Sequence, residues 1–163
     1  MSMSLRIITA RGAAVLLAVT CCAAAEPSVA PSDTFGVVIR DFYGAEGYTY
    51  VYDLGPAGLT VSLENDFGRP TRELCNVPLP EDQRAGWVRF LSTFPLEKLE
   101  SEYINPAVDD GLQMTFSVKR GQAEARTIQV ANMGQADLAR LCDRVAALVP
   151  SGCVRRPLRL PAD

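Results

Sequence analysis

The sequence predicts an α+β domain, a mainly antiparallel sheet of five to six strands with two helices packed on one face. Three observations carry that expectation. Short runs of strand-forming residues, bounded by Gly and Pro, flank two stretches with helical spacing. The connections between most runs are too short for the crossover a parallel pair requires. The second helical stretch is amphipathic throughout, and such a helix must bury its stripe against another layer.

Residues 26–33 (EPSVAPSD) lack periodicity and read as a flexible leader, so structure begins near Thr34. Residues 35–42 are rich in β-formers, 44–47 (GAEG) turn, and 48–54 alternate aromatic with other side chains. A second turn at 55–58 (GPAG) leads into 59–65, where Leu59, Val61 and Leu63 alternate with Thr60, Ser62 and Glu64. This is a three-strand antiparallel meander with turn chemistry at both joints. Residues 66–70 (DFGRP) break it, and 71–77 add a short edge strand bounded by Pro70 and Pro78.

A first helix is expected over 80–93. Pro80 suits its first turn, Glu81 and Asp82 favour the positive end of its dipole, and Trp87, Phe90, Leu91 and Phe94 recur at helical spacing before Pro95 stops it. Residues 96–103 read as another short turn of helix and 104–111 as irregular. Residues 112–119 and 126–130 form a hairpin across 120–122, with Met114, Phe116 and Val118 on one face. The last helix, 135–149, is the clearest element. Leu138, Leu141, Cys142, Val145, Leu148 and Val149 make one stripe, while Asp137, Arg140, Asp143 and Arg144 take the other side. Pro150 and Gly152 end it, which makes 34–153 a single domain and leaves 154–163 as a C-terminal tail or an edge strand.

The first twenty-five residues read as an address rather than as structure. Arg6 and Arg11 precede an eight-residue apolar run at 13–20, and Ala23-Ala24-Ala25 before Glu26 fits a signal-peptidase site. The run is too short to span a bilayer, which needs about 20 apolar residues, so the mature chain has no transmembrane span. The expected location is the periplasm or the secreted fraction of a bacterium. A lipoprotein anchored at Cys21 or Cys22 is the alternative, although Thr20 stands where a small residue is usual.

The leader carries two of the sixteen basic residues and none of the nineteen acids, so the formal charge of −3 becomes −5 after cleavage. Scattered basic residues on an acidic chain exclude a nucleic-acid footprint. The absence of histidine excludes Ser-His-Asp and Cys-His nucleophile systems and imidazole zinc sites. No cofactor motif occurs, and no metal site or enzyme activity is expected. The mature cysteines are Cys75, Cys142 and Cys153, an odd number for an oxidising compartment. Cys142 with Cys153 is the first candidate pair, Cys75 with Cys153 the second, and three reduced buried thiols the third.

The main binding candidate is a tyrosine stripe. Tyr48, Tyr50 and Tyr52 recur at period two, so on a strand their rings share one face, either as a platform for a partner or as part of the core. Arg69 and Arg72 are further candidate partner contacts. Asp109 and Asp110 read as a solvated turn rather than a calcium loop. Glu97, Glu100 and Glu102 read as solvated rather than as a catalytic pair.

Asp110 to Val118 (D-G-x-x-x-x-F-x-V), Thr127 to Val130 (T-I-x-V) and Leu138 to Pro150 (L-x-x-L-x-x-x-V-x-x-L-V-P) give the chain a loose resemblance to small bacterial exported domains of unknown function. It is also faintly similar to emfourin-type inhibitors of bacterial metalloproteases. The resemblance covers about half the mature chain and mostly core positions, so it implies a fold rather than a set of contacts. The expected function is a non-enzymatic envelope domain that binds a protein partner through its exposed sheet face or edge, as an inhibitor or accessory factor. A cell-wall carbohydrate held on the tyrosines is the alternative ligand.

Overall fold

A computed structural model describes residues 34–43, 47–65, 70–108 and 111–162. The expected leader segments, with Cys21 and Cys22, lie outside the described residues, as do Arg69, Asp109 and Asp110. The elements run β1 (Phe35–Tyr43), β2 (Tyr48–Gly55), β3 (Gly58–Glu64), β4 (Pro70–Pro78), α1 (Glu81–Thr93), β5 (Glu102–Ile104), β6 (Gln113–Arg120), β7 (Arg126–Ala131) and α2 (Ala136–Ala146). One sheet contains all seven strands in the order β4-β3-β2-β1-β6-β7-β5. Every pairing is antiparallel except β5 with β7. The α+β class is therefore as expected, with one or two more strands.

The meander forms where alternation and turns placed it. Gly58 is required at the β2–β3 joint, because a Cβ there would stand 2.3 Å from the Val77 carbonyl oxygen of β4. Strand β5 is the unexpected one. A single 3-10 turn, Leu96–Lys98, replaces the longer helical turn, and Glu102–Ile104 then lies parallel to β7. Three residues are too few for a periodic signal, and long-range pairing selects them instead.

Register fixes the two faces of the sheet. Val37, Ile39 and Asp41 of β1 pair with Leu54, Tyr52 and Tyr50 of β2 and with Val118, Phe116 and Met114 of β6, so all nine share one face. Except for Asp41 they belong to one apolar cluster, together with Trp87 and Leu91 of α1 and Leu138, Leu141, Cys142 and Val145 of α2. Both helices therefore cover this face. Phe35 stacks on Trp87 at 6.5 Å, and the Arg144 guanidinium of α2 lies 4.9 Å from the centre of the Trp87 ring, joining the helices. The Gln135 side chain caps α2 by accepting from the Leu138 amide at 2.6 Å. Val38, Arg40, Thr49, Val51, Ser62, Thr115, Ser117 and Gln129 point the other way, onto a face that neither helix covers.

The tail is neither an edge strand nor loose. It forms a strap across the covered face, from Cys75 of β4 past Asp41 of β1 to the backbone at the start of α2, where the Gln135 amide donates to the Pro161 carbonyl at 3.1 Å. Leu158 and Leu160 are buried while Pro157, Arg159 and Pro161 are exposed. That is strand-like alternation, but the two prolines lack the N–H groups a ladder would use. Cys153 bonds to Cys75, with Cα atoms 5.9 Å apart, and Cys142 is a free, fully buried thiol. The first candidate pair, Cys142 with Cys153, is thus not formed. Cys142 sits on the stripe of α2 and points into the core, whereas Cys153 starts the strap and meets the sheet. No helix among the described residues is long and apolar enough to cross a membrane.

Candidate functional site

Two surface features are built from residues that the sequence singled out or that flank them. The first is a groove of about 490 Å³ across the open face, running from Glu64 of β3 past Thr49, Arg40 and Phe42 and over Thr115 and Gln129 to Ile104 of β5. It crosses six strands, and at about 4.8 Å per strand spacing its length is about 24 Å. Its walls mix neutral hydrogen-bonding residues with apolar ones, Phe42 and Ile104 among them, and hold one ion pair, Arg40 with Glu64. Arg40 is 44 % exposed and Glu64 8 %, so the arginine lies over the carboxylate.

The second feature is a cleft of about 330 Å³ on the covered side, where the strap leaves the sheet. Tyr48 and Tyr50 come from β2, Leu63 from β3, Arg72 and Leu74 from β4, and Gly152, Cys153 and Arg155 from the strap. Three sequence candidates, Tyr48, Tyr50 and Arg72, are therefore brought together. Tyr52 is not among them. The three tyrosines share a face as expected, but it is the covered one, and Tyr52 is fully buried beside Ile39. The three-ring surface platform is corrected accordingly: Tyr48 is 45 % exposed, Tyr50 closes the base of the cleft, and Tyr52 is core. The reason lies in β1, whose inward residues Val37 and Ile39 need apolar neighbours, and register gives them Leu54 and Tyr52.

Sequence reading missed a polar cluster beneath this cleft. Asp41 is 1 % exposed and accepts two hydrogen bonds from Arg156 of the strap, at 2.8 and 2.9 Å. Burial pushes the Asp41 carboxyl above its ordinary value, while Arg156 pulls it part of the way back. The same burial raises the Tyr52 hydroxyl and the Cys142 thiol well above their usual ranges, with the Asp41 charge adding to both shifts. Cys142 is thus an inert core thiol. The Tyr52 hydroxyl has no hydrogen-bond partner among the described residues. A signal for Asp41 was present: it continues the inward alternation Phe35, Val37, Ile39. Arg155 and Arg156 lie in an aperiodic segment and offered none.

Glu97, Glu100 and Glu102 are all exposed. The Glu97 carboxyl is held below its usual range by a backbone hydrogen bond and by Arg120, opposite to the shift that a general acid needs. Among the described residues no group of three or more acidic or cysteine side chains is arranged to hold a metal ion. No protein-family model, curated protein or solved structure matches the chain.

Proposed function

We propose that the protein is an exported, non-enzymatic binding domain of a bacterial envelope that holds a segment of a partner protein on the open face of its sheet, as an inhibitor or accessory factor. The observation that carries this reading is the asymmetry of the sheet. Both helices and the strap lie on one face, and the other carries a transverse groove. At about 3.3 Å per residue, a groove about 24 Å long accepts about seven residues of extended chain. Its threonine, asparagine and glutamine side chains supply donors and acceptors, and Phe42 and Ile104 supply apolar contact. The Cys75–Cys153 bond is compatible with an oxidising compartment. The faint similarity to emfourin-type inhibitors points in the same direction.

The test is capture from envelope and secreted fractions with the purified domain as bait, beside an Ile104→Glu, Gln129→Arg bait of unchanged circular dichroism and melting temperature. A stoichiometric protein retained by the first bait and lost with the second supports the reading. If that protein is a protease, adding the domain should lower its turnover. Equal retention by both baits removes the open face from the proposal. Intact mass of the native protein tests export, which predicts an N-terminus at Glu26 or, for the lipoprotein alternative, a lipid-modified Cys21 or Cys22.

A further inference from the structure

We propose that the cleft between β2, β4 and the strap binds an acidic sugar, a pyranose ring carrying a carboxylate, with Arg72 and Arg155 gripping the anion and Tyr48 stacking on the ring. The site lies on the opposite side of the sheet from the groove and does not depend on the open-face reading.

Charge is the first argument. Arg72 and Arg155 both line the cleft, and among the described residues neither guanidinium has an ion-pair or hydrogen-bond partner. By contrast Arg40, Arg120, Arg140 and Arg156 are each paired with a carboxylate. A planar guanidinium fork matches a carboxylate with two parallel bonds, so two unpartnered forks on one cleft form a site for an anion.

Shape is the second. Tyr48 is the one aromatic among the exposed large hydrophobic side chains of the described residues, and its ring stands on the same cleft as the arginines. Tyrosine presents an apolar face with a polar tip, which suits the C–H face of a pyranose and its hydroxyl rim. A volume of about 330 Å³ lies at the small end of ligand sites, which fits one ring-bearing unit rather than a long polymer stretch. Phosphate sites commonly draw on helix N-termini or backbone nests, whereas these walls are strands and a strap.

Construction is the third. Arg155 lies between two long-range anchors, the disulfide at Cys153 and the ion pair of Arg156 with buried Asp41. Its backbone is thus fixed from both sides while its side chain stays exposed. A ligand meeting a pre-placed group loses less affinity to ordering the protein.

The experiment titrates the oxidised protein with glucuronic acid, glucose and inorganic phosphate, following backbone amide shifts by NMR. Glucuronic acid should give saturable shifts at Gly152, Cys153 and Arg155, with glucose and phosphate each at least tenfold weaker. Arg72→Gln and Arg155→Gln should each weaken glucuronic acid about tenfold or more, with spectra otherwise unchanged. Tyr48→Ala should weaken it several-fold. Glucose binding as tightly as glucuronic acid overturns the anion grip, and phosphate binding as tightly overturns the ring contact. Absence of saturation at about 10 mM of all three ligands overturns the site.

Discussion

Arg40 and Asp41 are neighbours on one strand, each makes an ion pair, and the two pairs do opposite jobs. Asp41 points to the covered face and meets Arg156, 115 residues away in sequence, with almost no contact with water. Arg40, 44 % exposed, points to the open face and lies over Glu64. Asp41 is buried under the strap and has the half-exposed Arg156 as its counter-charge, so this pair ties strap to sheet. A pair on an open face has water as a ready substitute. The strap therefore belongs to the architecture, while the open-face pair belongs to the groove's surface chemistry.

The largest effect should come from breaking the tie. Arg156→Met leaves Asp41 without its counter-charge in a site that water barely reaches, and should cost about 3 to 5 kcal/mol by urea denaturation at neutral pH. Adding Asp41→Leu should restore most of that loss, since the isolated charge is then gone. A double variant no more stable than Arg156→Met would show that the strap is held by Arg156's other contacts.

The disulfide is the next lever. Replacing Cys75 and Cys153 by serine opens a loop of 78 residues and should cost about 2 to 4 kcal/mol. Disulfide and ion pair anchor the same strap at positions 153 and 156, so their losses should not add. Once the strap is free at one anchor, the second holds less. Strict additivity in a double-mutant cycle would mean that the two anchors act on independent segments.

A smaller effect depends on pH. Burial holds the Asp41 carboxyl above its ordinary value of 3.8, and Arg156 only partly offsets this. The folded protein therefore binds this proton more tightly than the unfolded chain does. The associated stability is fully present below pH 3.8 and is lost as the pH rises through the folded-state value. Against Asp41→Asn, the wild-type protein should gain stability as the pH falls from 7 toward 4. A stability difference that stays flat over that range would contradict the raised value.

What was legible in the sequence follows from how local each feature is. Alternation and turn residues gave β1 to β3, and a six-residue stripe gave α2, because those signals sit inside the elements they form. Strand β5 was not legible, since its partner β7 begins more than twenty residues later and nothing within Glu102–Ile104 marks an edge. The strap was half legible. The edge-strand alternative for 154–163 matched the alternating burial of Leu158 and Leu160, but prolines on both sides removed the ladder such a strand would use. The candidate cleft was legible in Tyr48, Tyr50 and Arg72 and not in Arg155. A side chain whose position depends on a disulfide and on a buried ion pair cannot be placed before both are known.

The smallest expected effect tests the comparison most sharply, because it repeats the arginine removal on the other face. Arg40→Met takes the counter-charge from Glu64, a side chain only 8 % exposed, and by that number alone it should behave like Arg156→Met. It should not. The cover over Glu64 includes the Arg40 side chain itself, and the face beneath carries no helix, so water enters where the guanidinium was and solvates the carboxylate. The expected cost is about 1 kcal/mol or less, measured by the same urea titration. A loss equal to that of Arg156→Met would mean that Glu64 is shut off from water by more than Arg40. The open face would then be closed where the groove begins, and the proposed docking surface would shrink to the half between β1 and β5.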